Sequence, residues 1–133
     1  MDNLKIIQWN IQEFKDKAKA LRAVLLKDNI DIVLLQETLT RTERYTNIPG
    51  SQGFHCPIAQ GGNRGISILV RNHINVTAIT DLPNCGENVE IMGVNLTLRN
   101  LMLSIFNVYR RPREHDMDLY AILEIAVTPP TII

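Results

Sequence analysis

Asn10 and Glu37 are two polar residues that each come at the end of a short apolar segment. Asn10 lies near the end of segment 4–11, and Glu37 directly follows segment 30–36. Ligands of open α/β sheets collect at the carboxyl ends of the strands, so neighbouring parallel strands would present both residues at one edge. One carboxylate and one amide offer the oxygen ligands that Mg²⁺ prefers. We therefore predict a metal site there, although spacing alone leaves open that Glu37 is an ordinary solvated residue.

Tyr109 is a third candidate for chemistry. It ends the apolar segment Leu103–Tyr109 and is followed by Arg110 and Arg111. A phenol hydroxyl beside two guanidinium groups is suited to contact a phosphate or an anionic intermediate. The alternative is a structural tyrosine whose hydroxyl group is satisfied at the edge of the core.

The arginines are distributed unevenly along the chain. Fourteen Lys and Arg residues balance fourteen Asp and Glu residues, which excludes nucleic-acid binding by bulk charge alone. Segment 41–80 nevertheless carries a single acid, Glu43, and segment 91–113 carries none. Such an arginine excess suits contact with a phosphate backbone, although scattered surface arginines are also common. The candidate nucleic-acid-binding residues are Arg41, Arg64, Arg110 and Arg111.

The elements that must position these residues begin with a strand, a helix and a second strand. Segments 4–11 and 30–36 are almost continuously apolar, which predicts two buried strands. The intervening apolar residues recur with the period of an amphipathic helix: Phe14, Ala18, Leu21 and Leu25. Short connections make this a βαβ unit with parallel strands and a right-handed crossover.

The rest of the chain is predicted to be mainly β-structure. Residues 40–63 are polar and rich in turn signals. Segments 88–98 and 101–109 are expected to pair as a hairpin across Arg99-Asn100, and a second helix is expected after Pro112. Further strands are predicted at 54–59, at 64–71, at 75–80 and from Thr131 onward.

Composition and the chain ends narrow the class of protein. The chain has 133 residues, 45% of them hydrophobic and 21% charged, which is typical of one globular domain. Cys56 and Cys85 lack the spacing of a zinc site. No apolar stretch approaches the ~18 residues of a membrane span, and the first residues lack a signal-peptide pattern. We therefore expect a nuclear or cytoplasmic protein that is not secreted and has no membrane partner.

The order of the motifs resembles the endonuclease/exonuclease/phosphatase superfamily, above all the apurinic-like endonuclease domain of arthropod non-LTR retrotransposons. The resemblance rests on five segments in order, namely WNI, LLQET, an IPG turn, GISILVRN and NVYRRP. It implies a four-layer α/β sandwich, in which helices flank two β-sheets. It also implies DNA cleavage at phosphodiester bonds with Mg²⁺ (or Mn²⁺), and a reverse transcriptase domain C-terminal on the same chain.

The same resemblance implies roles for three residues. Glu37 would bind the metal, and Asn10 would orient the scissile phosphate or a metal-bound water. Tyr109 would be the active-site tyrosine, although Tyr109-Arg110-Arg111-Pro112 is one residue longer than the family's Y-x-P pattern. Water activated at the metal would attack phosphorus.

Two motifs of that family do not occur in the 133 residues. In the family, a segment like Pro129-Pro130-Thr131-Ile132-Ile133 runs into G-D-F-N, and an S-D-H motif follows further on. The chain is therefore expected to be the N-terminal half of the domain, to bind metal only weakly and to be inactive alone. The alternatives are a fragment of another superfamily member, such as a DNA-repair endonuclease, deadenylase or phosphatase, and a non-catalytic α/β binding module.

This interpretation predicts what the genome encodes beyond Ile133. The sequence downstream should encode G-D-F-N, either in frame or after a frameshift, and sequencing of the genomic locus checks this. An unrelated downstream sequence would remove most of the support for a fragment.

Overall fold

A helix and eight strands make up the elements of the described chain. The structure is a computed structural model that describes residues 3–41, 47–56, 64–82, 89–110 and 131–133. The elements are β1 (Ile6–Asn10), α1 (Phe14–Lys27), β2 (Ile32–Gln36), β3 (Ser51–Cys56), β4 (Ile66–Arg71), β5 (Asn75–Ala78), β6 (Val89–Leu98), β7 (Leu101–Arg110) and β8 (Thr131–Ile132). They divide between two compact units, Met1–His73 and Ile74–Ile133. No helix in the described ranges is long and apolar enough to cross a membrane.

The first unit contains the predicted βαβ arrangement. Its described strands form a sheet in the order β1-β2-β4-β3, and β1 and β2 are parallel, whereas β4 runs antiparallel to both β2 and β3. All five residues of β2 are buried, which accounts for its unbroken apolar sequence. The β1–β2 register places Asn10 opposite Gln36, at the carboxyl ends of both strands. The predicted βαβ unit is therefore confirmed.

Helix α1 covers one face of this sheet with its apolar side. Phe14, Leu21 and Leu25 are buried in a core that also includes Val33 and Leu69 from the sheet. Burying these large side chains stabilises the unit by roughly 1.5–3 kcal/mol each. The helix thereby fixes where its own first turn lies relative to the sheet edge.

The second unit contains the predicted hairpin. Its described strands have the order β5-β6-β7-β8, and β6 pairs with β7 from Leu98 opposite Leu101 up to Val89 opposite Arg110. Arg99 adopts a positive φ of 47° in the turn, as tight hairpin turns require. A Cβ added at Gly93 would lie 2.6 Å from the ring of Phe106, so this ring packs directly over the glycine backbone.

The strand predicted at 54–59 and the helix predicted after Pro112 differ from the other predicted elements in their outcome. The predicted strand, of which residues 57–59 lie outside the described residues, begins earlier, at Ser51, directly after a turn in which the amide of Ser51 donates to the carbonyl of Ile48 over 3.1 Å. Pairing with β4 stabilises this segment, and its polar residues and Gly53 concealed it from periodicity. The helix predicted after Pro112 falls outside the described residues.

Candidate functional site

Asn10 and Glu37 lie at the same edge of the first sheet, as their positions after the strands predict. The amide of Ile11, next to Asn10, donates to the carbonyl of Gln36 over 3.0 Å, so the β1–β2 ladder continues to the end of both strands. The Gln8 side chain donates to that of Gln36 over 3.2 Å and ties these two strands together again. Asn10 is exposed, whereas Glu37 is buried with a relative exposure of 8%.

Backbone hydrogen bonds on both sides hold the segment around Glu37. On one side its carbonyls accept amides from the start of α1, and on the other its amides donate to the chain entering β4. Such pairing extends the sheet beyond β2 and leaves little freedom for the main chain at the site. The four bonds are Glu13 N to Glu37 O (2.9 Å), Phe14 N to Thr38 O (2.9 Å), Thr38 N to Gly65 O (3.0 Å) and Leu39 N to Arg64 O (2.9 Å).

The main chain at Glu37 adopts an unusual conformation. Glu37 and Leu39 both have a φ of 52°, in the left-handed region that residues with a side chain seldom occupy. Each such residue costs about 1–3 kcal/mol and persists where the surroundings over-determine it, frequently at functional sites. Here the backbone bonds to Glu13 and Gly65 supply that constraint. The main chain that carries the Glu37 carboxylate is thus fixed by hydrogen bonds to two other stretches of the chain.

Arg64 brings a positive charge to this carboxylate. Its Nη1 lies 3.8 Å from Glu37 Oε1, and the Arg64 side chain is 48% exposed while that of Glu37 is 11% exposed. A carboxylate removed from water needs charged or hydrogen-bonding partners. The arginine predicted to contact nucleic acid therefore also supplies charge to the predicted metal ligand.

A cleft of about 320 Å³ opens beside the first turn of α1. Two of its side chains, Lys15 and Arg41, are cationic. Arg41 is a predicted nucleic-acid contact, but the periodicity assigned Lys15 to the polar face of the helix. The three-residue connection between β1 and α1 was the missed signal, because it must bring the first helical turn to the sheet edge. The lining residues are Glu13, Lys15, Leu39, Thr40 and Arg41.

Lys17 is a second residue whose part in the site the sequence did not indicate. Its ammonium group donates to the carbonyl of Ile11 and, over 2.5 Å, to that of Gln12. Glu13 caps α1 without a side-chain hydrogen bond, and its φ of 80° reflects a sharp entry into the helix. Lys17 therefore stabilises the connection that carries the chain from Asn10 into α1.

The remaining candidates belong to the second unit or lie outside the described chain. Tyr109 is buried near the end of β7, opposite the buried Glu90 of β6, and Arg110 is exposed. Arg111 falls outside the described residues. The roles of Asn10, Glu37 and Tyr109 and of the four arginines stay predictions.

The donor set at the sheet edge fits the predicted metal. Within the described ranges, no group of three or more His, Cys, Asp or Glu side chains is arranged to hold a metal ion. Glu37 offers a carboxylate and Asn10 an amide oxygen, which are hard ligands. Mg²⁺ commonly keeps several waters and takes one or two carboxylates, so a site of this kind suits it better than a softer metal.

Residues 7–133 match the Endonuclease/Exonuclease/phosphatase family, and the chain belongs to it. No curated protein sequence is significantly similar to the chain.

Solved structures with the same fold include three from different settings. The endonuclease domain of TRAS1, a telomere-specific non-LTR retrotransposon, has a TM-score of 0.67 at 20% identity, covering 91% of this chain and 51% of that one. D. rerio TDP2 complexed with single strand DNA product has a TM-score of 0.69 at 17% identity, covering 97% and 57%. The AP endonuclease LMAP from Leishmania major has a TM-score of 0.58 at 21% identity, covering 80% and 40%.

These similarities confirm the fold class that the sequence predicts. The mixed α/β chain with two four-stranded sheets in its described part has the fold of these solved structures. The chain spans 40% to 57% of the length of the three structures.

The packing behind Glu37 makes Gly65 sensitive to substitution. Gly65 has a φ of 88°, and a Cβ there would lie 2.4 Å from Thr38 Oγ1. We expect Gly65→Ala to lower the free energy of unfolding by about 2–4 kcal/mol, through both backbone strain and overpacking. Urea denaturation followed by circular dichroism measures this.

Gly50→Ala is the matched control for this prediction. Gly50 has a φ of 87°, yet an added Cβ would meet nothing within 4 Å. It should therefore cost only the conformational part, about 1–2 kcal/mol. Equal losses in both variants would contradict a tight Thr38–Gly65 contact.

Proposed function

We propose that this chain is the N-terminal part of a divalent-metal-dependent DNA endonuclease of the non-LTR retrotransposon type. One observation carries the proposal. Glu37 is a buried carboxylate at the carboxyl edge of the first sheet, and its main chain is held in a left-handed conformation. A left-handed main chain costs free energy at a residue with a side chain and is frequent at functional sites, which supports a functional part for this carboxylate.

Glu37 and Asn10 would hold Mg²⁺ (or Mn²⁺) at this edge. The metal, when bound, would neutralise charge on the phosphoryl oxygens and leaving group and lower the pKa of bound water. Asn10, exposed beside Gln36, would orient the scissile phosphate. In the second unit, Tyr109 would contact a phosphate. Arg110 and Arg111 would contact the sugar-phosphate backbone of the DNA.

The cationic cleft supports DNA as the substrate. Lys15 and Arg41 line it together beside the first turn of α1 and outnumber Glu13, the one acidic side chain among its described lining residues. Lys and Arg contacts to phosphates provide affinity without reading sequence. The cleft would therefore hold the DNA backbone while Glu37 and Asn10 meet the cleaved bond.

We propose further that residues 1–133 do not cleave DNA alone. The family's water-activating aspartate and phosphate-binding histidine belong to motifs that these residues do not contain. General acid–base catalysis contributes about 10²–10⁴-fold, so their loss leaves little activity. In a full-length element a reverse transcriptase domain would follow on the same chain, and the protein would act in the nucleus or cytoplasm. D. rerio TDP2 complexed with single strand DNA product covers 97% of this chain, which supports part of another DNA-processing enzyme of the family, such as a repair endonuclease, as the second candidate.

Nicking of a plasmid tests the proposed activity. In one protein, residues 1–133 are joined to the part of the TRAS1 endonuclease domain that this chain does not match. This joined protein should nick supercoiled DNA in Mg²⁺, whereas residues 1–133 alone should not. In the joined protein, Glu37→Gln should lower the nicking rate by about 100-fold or more. Asp28→Asn, at the other end of α1, should leave the rate unchanged.

Two results would count against the proposal. Nicking by residues 1–133 alone would contradict the need for the second half. A joined protein that melts cooperatively and binds DNA, yet does not nick it, would favour the non-catalytic binding module.

Binding of DNA tests the cleft independently of cleavage. Lys15→Ala and Arg41→Ala should each weaken binding of residues 1–133 to duplexes of any sequence. Each should also reduce the slope of log K against log salt by about 0.9, because one phosphate contact is lost. Fluorescence anisotropy between 50 and 200 mM KCl, roughly the range over which phosphate contacts show, measures this. Lys27→Ala, in the last turn of α1, is the matched control, and an equal change of slope there would contradict the assignment.

A further inference from the structure

We propose that Arg64 is an exchangeable counter-ion of Glu37, which it releases when a divalent cation binds, and that the released guanidinium then contacts the DNA phosphate. This inference rests on the proposed function, since it concerns the same site. It gives Arg64 a part in coupling metal binding to substrate binding, beyond a constant contact with nucleic acid.

The separation of the two groups favours exchange. Arg64 Nη1 and Glu37 Oε1 are 3.8 Å apart, within ion-pair range but beyond the 2.7–3.2 Å of a typical hydrogen bond. This contact is therefore electrostatic and lacks the close fit of a bidentate arginine–carboxylate pair. Ion pairs with an exposed partner contribute little free energy, so a stronger competitor for the carboxylate can replace this one.

The two side chains differ in what holds them. Glu37 is buried, and the backbone bonds from Glu13 and to Gly65 on either side of it fix its main chain. The main chain of Arg64 is also held, through the amide of Leu39, but its side chain is half exposed. The exposure of the Arg64 side chain therefore gives its guanidinium group access to solvent while the backbone bonds of the sheet edge stay in place.

A divalent cation and a guanidinium group compete for the same carboxylate. Two cations within a few ångströms of each other repel, and this repulsion is stronger near a partly buried group than in water. A cation with charge of two attracts the carboxylate more strongly than an arginine does at equal distance. Metal binding at Glu37 is thus expected to push the guanidinium away, toward the solvent from which the DNA approaches.

Exchange makes metal and DNA binding reciprocal. If the metal releases Arg64 for a phosphate contact, it raises DNA affinity, and DNA must raise metal affinity by the same factor. Removing the guanidinium should have two opposite effects. The metal should bind more tightly because a competitor is gone, and it should no longer increase DNA affinity to the same extent.

Calorimetric titration with Mn²⁺ of residues 1–133 tests the first effect. We expect Arg64→Gln to bind Mn²⁺ about threefold more tightly than the unchanged chain, the factor typical of a weak ion pair. Arg64→Lys, which keeps the charge, should stay near the original affinity, and Glu37→Gln should abolish binding. Arg22→Gln, an exposed arginine on α1, controls for the loss of one positive charge.

Fluorescence anisotropy with a DNA duplex tests the second effect. Mn²⁺ should raise DNA affinity of the unchanged chain, and this gain should fall in Arg64→Gln but persist in Arg22→Gln. A thermal melt of each variant shows whether it is folded, and the Mn²⁺-induced shift of its Tm is an independent measure of metal binding.

The outcomes separate this inference from the proposed function. The exchange is overturned, but the metal site is kept, if Arg64→Gln, Arg22→Gln and the unchanged chain bind Mn²⁺ with equal affinity while Glu37→Gln does not bind it. An absence of Glu37-dependent Mn²⁺ binding in every folded variant, Arg64→Gln included, overturns both. Weaker binding in Arg64→Gln than in Arg22→Gln shows instead that Arg64 helps to hold the metal, which also overturns the exchange.

Discussion

Backbone pairing of the segment that follows β2 is the constraint on which the site depends. The carbonyls of Glu37 and Thr38 accept amides from the start of α1, and the amides of Thr38 and Leu39 donate to the chain entering β4. These bonds join three stretches of chain that are far apart in the sequence. They stabilise the left-handed conformation at Glu37 and place the first turn of α1 beside it.

Burial of a carboxylate at the end of a strand destabilises the fold unless a positive charge or hydrogen-bond donors compensate for the lost water. Here an arginine on a neighbouring stretch of backbone supplies that charge at 3.8 Å, and its own exposure keeps it adaptable. The same edge carries the cations of the cleft, Lys15 and Arg41. A carboxylate, an amide and two cationic side chains thus lie at the end of the first sheet where β1 and β2 finish.

Patterns of apolar residues predicted best those elements whose own burial determines their sequence. The apolar runs and the helical period identified β1, α1, β2 and the β6–β7 hairpin within a few residues, because burial imposes these patterns directly. The strand Ser51–Cys56 begins three residues before its predicted start, because pairing with β4 rather than hydrophobic alternation decides where it begins. Patterns likewise left Lys15 and Lys17 on a polar helix face, whereas Lys15 lines the cleft and Lys17 donates to the connection between β1 and α1.

The sequence by itself determined that Asn10 and Glu37 would lie at one sheet edge, since strand order and the parallel crossover follow from the βαβ pattern. Tertiary structure alone decided the conformation of Glu37, its pairing with Arg64 and the cationic cleft beside α1. The physical reason is the separation along the sequence of the residues that interact. Periodicity records which face of an element is buried, whereas contacts between residues 37 and 64 arise only when separate strands meet and their backbones exchange hydrogen bonds.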